Sequence, residues 1–198
     1  ATYIHIDVDP QEISRNYEAV RLLGDARSAI GDLTEALKAQ DLTKRRSAAA
    51  PLKAAIVQAR EERLKAIAPE LQSDEKPLLP QRLMGDLDAL LTPNDIVVAD
   101  ASYSSVWVTA YLTAQAAGQR ILTPRGLAGL GWGLPYAMGA KLARPDARVV
   151  GIVGDGGFAH VWAELEMAVR EDIPLTLIVL NNSQLVMQKH GEALGFGR

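Results

Sequence analysis

The chain has 198 residues, 48% of them hydrophobic and 23% charged, with a formal net charge of -3; this is an ordinary globular composition, long enough for one core or for one domain plus part of another. The slightly acidic balance excludes a general nucleic-acid-binding surface, which needs concentrated Lys and Arg, and the basic cluster Lys44-Arg45-Arg46 lies in a polar stretch and reads as a solvated face. Cysteine is absent, so disulfides, thiolate nucleophiles and zinc–thiolate sites are excluded.

The opening Ala1-Thr2-Tyr3-Ile4-His5 lacks the charged-then-apolar pattern of a signal peptide. No apolar run reaches the roughly 20 residues that span a bilayer, so a cytoplasmic location without a membrane partner is expected. Tyr3 to Val8 reads as a strand stopped by Asp9-Pro10. Gln11 to Val20 and Arg27 to Ala39 read as helices, the second with Ala, Leu and Ile at helical spacing. A first strand with no partner before it implies that the chain starts inside a domain. Gln40 to Lys76 is polar, punctuated by Pro51, Pro69 and Pro77, and reads as a linker with one helix, Leu52 to Ala66.

Pro80-Gln81 opens an amphipathic helix, Arg82 to Leu91, and the composition turns apolar and Gly-rich. The expected order is then strand Ile96–Asp100, helix Val106–Ala117, short strand Arg120–Leu122, a Gly-rich loop Arg125–Gly133 and helix Leu134–Ala143. Strand Val149–Val153, helix Val161–Arg170 and strand Leu175–Leu180 follow, and the chain ends in Gln184–Arg198 without another strand. Continuous apolar strands alternating with helices predict an α/β fold with a doubly wound parallel sheet, covered on both faces.

The chemistry concentrates in Val149-Val150-Gly151-Ile152-Val153-Gly154-Asp155-Gly156-Gly157. A buried strand ends there in a glycine turn that feeds a helix, whose free N–H groups and positive dipole end suit a phosphate. Asp155 would repel a phosphate unless a cation lies between them. The next strand ends in Asn181-Asn182. A β-helix-β crossover brings both strand ends to one edge, roughly 4.8 Å apart if the strands are neighbours, where doubly wound folds bind ligands. A carboxylate, an amide oxygen and a backbone carbonyl suit Mg²⁺, which keeps waters and takes further ligands from phosphates. Either turn alone is an ordinary structural feature; on consecutive strand ends they point together to a metal–diphosphate site. The histidines His5, His160 and His190 lie far apart and supply no metal motif. A phosphoryl-transfer protein is the other class with this chemistry, but there is no Gly-Lys-Ser/Thr phosphate loop.

Gly154-Asp155-Gly156, then 24 residues, then Asn181-Asn182, resembles the thiamine diphosphate fingerprint. Gly126-Leu127-Ala128-Gly129-Leu130-Gly131-Trp132-Gly133-Leu134-Pro135 and Gly139-Ala140-Lys141 resemble the preceding loop and helix of acetolactate synthase and its relatives. Ile4-His5-Ile6-Asp7-Val8-Asp9-Pro10 and Gly24-Asp25-Ala26 resemble the end of that family's central domain. The resemblance implies residues 1–40 as a central-domain remnant, 41–76 as a linker with a helix, and 77–198 as the thiamine diphosphate domain, cut short at its C-terminal end.

It also implies site roles. Asp155 and Asn182 would hold Mg²⁺ through side chains and Gln184 through its carbonyl. Gly154, Gly156 and Gly157 would surround the diphosphate, the last two donating backbone N–H groups. Ser102 to Ser105, with Ser104 between them, match a second diphosphate turn; their other reading is a helix N-cap. Leu130 would prop the cofactor into its bent shape and the Ala128 carbonyl would accept from its amine; the other reading of Leu130 is core packing. His160 would face the cofactor, or else serve structure at the helix start. Met187 matches the segment that shapes substrate choice. Trp132, Phe158 and Trp162 read as packing, and Glu164 and Glu166 as solvent-facing or linker contacts.

The implied enzyme is a lyase or transferase that removes CO₂ from a pyruvate-like 2-keto acid and passes the enamine to a second carbonyl. The alternatives are another thiamine diphosphate-dependent decarboxylase or aldehyde lyase, or a non-catalytic cofactor-binding fragment. No certain catalytic residue lies in this chain. The activating glutamate would come from a pyrimidine-binding domain or subunit, and a homodimer or homotetramer is implied. FAD is compatible with the resemblance but has no residue support. Val186 stands where relatives have glycine and Gly191 where acetolactate synthase has tryptophan, so acetolactate synthesis proper is set apart from the wider family.

Overall fold

The computed structural model describes residues 2–197. The chain divides into two compact units, with the boundary between Leu64 and Lys65.

In the first unit, β1 (Ile4–Asp7) pairs in parallel with β2 (Val20–Leu23), Ile4 opposite Val20 and Asp7 opposite Leu23. The opening strand therefore has a partner within the chain. The helix anticipated over Gln11–Val20 does not form. Glu12 and Ile13 donate to the Asp9 carbonyl for a single turn; Ser14 then adopts φ 60 while its N–H donates to His5 Nδ1 at 3.0 Å. Positive φ in a non-glycine residue stops a helix, and the β-branched and leucine residues of Val20–Leu23 go into the sheet instead. Helix α1 (Ala26–Lys38) is capped by Asp25, whose Oδ1 accepts from Ser28 N at 3.0 Å.

Helix α2 (Thr43–Leu71) is 29 residues long, longer at both ends than the anticipated Leu52–Ala66. Asp41 starts it by accepting from Thr43 N at 2.9 Å, and its Ala-, Lys-, Arg- and Glu-rich sequence favours propagation. It buries none of its residues and carries the boundary between the units within it.

The second unit contains the four-stranded sheet. Its elements are α3 (Pro80–Leu90), β3 (Ile96–Ala99), α4 (Tyr103–Tyr111), β4 (Arg120–Leu122), α5 (Gly133–Ala143) and β5 (Val149–Gly154). Then come α6 (Asp155–Ala159), α7 (Glu164–Arg170), β6 (Thr176–Leu180) and α8 (Val186–Phe196). Helix α4 starts three residues before the anticipated Val106. It ends at Tyr111, where Leu112 turns extended and Thr113 N–H donates to Asp88 Oδ1 at 2.7 Å. The helix anticipated over Val161–Arg170 starts three residues later, at Glu164, and a separate short helix, α6, begins directly at Asp155.

All strands run parallel, in the order β4-β3-β5-β6. Side chains alternate across the pleat. Val97, Ala99, Val150 and Ile152 pack with Met84, Leu87 and Val108 of α3 and α4. Ile96, Val98 and Val149 pack with Ala137 on the other face, where Leu134, Met138 and Ile173 extend the core. Apolar strands covered on both sides are the doubly wound α/β arrangement.

At the end of the sheet away from the pocket described below, Asp95 is buried. It accepts from Thr92 N at 2.6 Å and pairs with Arg148, whose guanidinium also donates to the Leu90 carbonyl at 2.6 Å. Burial is the largest single influence on Asp95 and raises its pKa, but hydrogen bonds from Arg148 and Thr92 together outweigh it and hold the carboxyl below its ordinary value. A depressed folded-state pKa contributes stability above the unfolded value, about 3.9, and loses it as pH falls through the folded value. Asp95→Asn should therefore lower stability at neutral pH and flatten the acid limb, as read by urea denaturation from pH 7 down to 2.

Candidate functional site

Strand order reverses between β3 and β5, since the chain passes from β3 to β4 on one side and to β5 and β6 on the other. Ligands of such sheets bind outside the C-terminal strand ends at that reversal. A pocket of about 830 Å³ lies there. Ser102 and Ser104 line it after β3, Gly154 to Gly157 after β5, and Asn182 and Gln184 after β6, with Leu130 from the Gly-rich loop.

The two strand tips that matter most are direct neighbours. β5 pairs with β6 with Gly154 opposite Leu180, so Asp155 and Asn181-Asn182 leave the sheet side by side. The tip of β6 is closed by two consecutive side-chain turns. Asn181 Oδ1 accepts from Ser183 N at 2.9 Å, and Asn182 Oδ1 from Gln184 N at 3.1 Å. An amide oxygen has two lone pairs, so the turn leaves Asn182 Oδ1 with one for a ligand.

Glycine is required on the β5 side by close approach. A Cβ on Gly157 would lie 2.1 Å from Oδ2 of the buried Asp100, whereas one on Gly156 would meet only the tip of the exposed, movable Leu185 side chain, 2.3 Å from its Cδ2. Gly154, the N-cap of α6, provides no side-chain cap, which leaves first-turn N–H groups for an anion. Among the described residues no group of three or more His, Cys, Asp or Glu is placed to hold a metal. A cation here would thus rest on one carboxylate with neutral oxygens. That donor set, beside a glycine cradle, fits a Mg²⁺–diphosphate group.

Four anticipated residues do not line the pocket. Ser105 is buried and its hydroxyl donates to the Ser102 carbonyl at 2.9 Å, a bond internal to the α4 start. Ala128 is exposed in the Gly-rich loop with φ 48. His160 is exposed at the end of α6, with its Cβ 3.1 Å from the place of a Gly131 Cβ. Met187 is exposed on α8.

Two features went unread in the sequence. Asp100 is 0% exposed. Its Oδ1 accepts from Ala101 N at 2.8 Å and Trp132 N at 3.1 Å, and its Oδ2 from Gly131 N at 3.0 Å. This carboxylate pins the Gly-rich loop to the β3 tip, and the charge is satisfied by backbone donors. The second feature is an aromatic row along α4. Tyr103 stacks on Trp107 with centroids 5.9 Å apart, and Trp107 lies 5.9 Å from Tyr111. The signal was present as aromatics spaced four apart.

Three of the five non-glycine residues with positive φ lie in loops at this edge, the other two being Ser14 and Asp172. Ser102, Ala128 and Ser183 have φ of 67, 48 and 55, one in each of the loops after β3, after β4 and after β6. Non-glycine residues persist there only where their surroundings enforce it, a pattern typical of binding sites.

The model of the family described as thiamine pyrophosphate enzyme, C-terminal TPP binding domain, matches residues 100–198. A probable acetolactate synthase large subunit of Methanocaldococcus jannaschii is 32% identical over 205 residues, covering 100% of this chain and 33% of that protein. Acetolactate synthase isozyme 2 large subunit of Escherichia coli is 29% identical, covering 99% of this chain and 33% of that protein. A putative thiamine pyrophosphate-containing protein, YdaP, of Bacillus subtilis is 29% identical, covering 93% of this chain and 31% of that protein. The chain spans about a third of the length of these curated relatives. The chain belongs to the thiamine pyrophosphate enzyme family that carries this C-terminal domain.

Proposed function

We propose that residues 77–198 are the Mg²⁺-dependent thiamine diphosphate domain of an acetolactate synthase-like enzyme that decarboxylates a pyruvate-like 2-keto acid and joins the remainder to a second carbonyl. The observation that carries this reading is the adjacency of β5 and β6, with Asp155 and Asn182 leaving one sheet edge together. In it, Asp155 and Asn182 hold the metal through side-chain oxygens and Gln184 through its carbonyl. Gly156 and Gly157 donate N–H groups to the diphosphate, and Ser102 and Ser104 close it from the β3 side. Leu130 sets the bend of the cofactor, while Ala128, His160 and Met187, which do not line the pocket in this structure, would meet the cofactor's amine and reacting end from outside that lining. The bound cofactor would supply carbanion chemistry, taking up the electron pair freed when CO₂ leaves. The chain's own task is to orient that group, neutralise its phosphates and exclude water.

Residues 1–40 are proposed as the end of a central domain and 41–76 as the connection to the cofactor domain. A pyrimidine-binding domain or subunit would bring the activating glutamate, within a homo-oligomer. A second reading, a decarboxylase or aldehyde lyase, draws support from α8. Leu185, Val186 and Gln188 line the pocket, and Val186 is a place where the family pattern is broken. Pyruvate consumption by the full-length protein with thiamine diphosphate and Mg²⁺ tests the proposal. Product analysis separates carbonyl transfer from aldehyde release, and no turnover of any 2-keto acid would refute both.

A further inference from the structure

We infer that Tyr103 and His190 form a latch that positions the Asn182–Gln184 turn and sets how long a metal–diphosphate ligand stays in the pocket. Tyr103 opens α4 immediately after the strained Ser102 and lines the pocket. Its hydroxyl lies 2.6 Å from His190 Nδ1, across 87 residues of sequence, and the two rings meet edge to face at 5.7 Å and 83°. One partner is rigid: the Tyr103 ring stacks on Trp107, which packs against the core under α3 and α4. The other partner sits on α8, none of whose residues is fully buried and whose Val186 is half-buried at the pocket.

Helix α8 continues directly from the Asn181–Gln184 turn, so its orientation sets that of the turn. Leu185, at the junction, comes within van der Waals range of Gly156 on the opposite side of the pocket. Ser183, with φ 55, is the natural pivot. A helix without buried side chains takes its place from a few side-chain contacts. Losing this one would let α8 swing about Ser183, carrying the Gln184 carbonyl and Leu185 away from the β5 turn. Tyr103 and His190 are positioning residues in this account, acting through the turn. The identity of the ligand rests on the function proposed above; the latch itself is a property of the chain.

The test uses the full-length protein with Tyr103→Phe, His190→Ala, the double variant and His190→Gln. Hydrogen exchange is followed without ligand, and release of thiamine diphosphate is followed with MgCl₂ present. Each single variant should speed exchange over residues 186–196 about threefold to tenfold, the range expected for one hydrogen bond, with β5 protection unchanged. The double variant should add nothing further, and His190→Gln, which keeps an acceptor, should restore part of the protection. Release of thiamine diphosphate should quicken by a similar factor in Tyr103→Phe. Unchanged exchange in α8, additive effects, or faster exchange with unaltered release would each overturn the latch. A wild-type protein that binds no thiamine diphosphate would instead sink the proposed function, and the exchange result would still decide whether the latch exists.

Discussion

Asp155→Ala should abolish Mg²⁺-dependent binding of thiamine diphosphate, weakening it at least about 100-fold, while the fold survives. Replacing groups that merely support a metal ligand already weakens affinity by about 10–100-fold, and Asp155 would be the one charged ligand of its set. The substitution is structurally mild. Asp155 is the first residue of α6 and partly exposed, at a position where alanine suits a helix. Asp155→Asn keeps the shape and an oxygen but loses the charge, so it should fall between the wild type and alanine. Calorimetric titration with and without MgCl₂ decides the matter. Binding indifferent to both the metal and the substitution would remove Asp155 from the site.

Gly133→Ala should destabilise the second unit by about 1–3 kcal/mol, the range for an overpacked core, and lower its thermal midpoint by roughly 5–10 °C. Gly133 begins α5, and a Cβ there would lie 2.4 Å from Val153 Cγ1, 2.9 Å from Asp100 Cβ and 3.3 Å from Asp100 N. Neither neighbour can yield cheaply. Val153 and Asp100 are both 0% exposed, and the Asp100 carboxylate is held by three backbone N–H groups. Any relief would drag Asp100 and the Gly-rich loop with it, so cofactor affinity should fall together with stability. Gly139→Ala, in the same helix with nothing within 4 Å of its Cβ, is the control and should be neutral or stabilising by about 0.5–1 kcal/mol. Equal midpoints for the two variants in a thermal melt would refute the packing argument.

The parts of this fold that could be read in advance share one physical property: their signal is local. Val149–Val153 is an unbroken apolar run, which a strand buried on both faces requires, and Leu175–Leu180 is apolar but for Thr176 although it forms a half-exposed edge strand; both lie within a residue of their expected place. The glycine turn and Asn181-Asn182 were legible because close approach and side-chain turns each demand particular residue types. What escaped was set by distant partners. The strand Val20–Leu23, whose first residue reads as the end of a helix over Gln11–Val20, exists only because β1 is there to pair with it. Asp100 looks like an ordinary acid ending a strand; its donors lie 31 and 32 residues away. Tyr103 and His190 are joined across 87 residues. Helix α7 starts only at Glu164, with Val161 before it packed against the core under α5 beside Phe158 of α6, a demand of packing that helical spacing does not reveal.

The most direct test of the central claim is a crystal structure of the full-length protein with thiamine diphosphate and Mn²⁺, the metal located by its anomalous scattering. The account predicts a single metal bonded to the Asp155 carboxylate and Asn182 Oδ1 at about 2.0–2.3 Å, with diphosphate oxygens completing its shell over Gly156 and Gly157. A metal bound away from these two side chains, or a diphosphate resting elsewhere on the sheet edge, would contradict it.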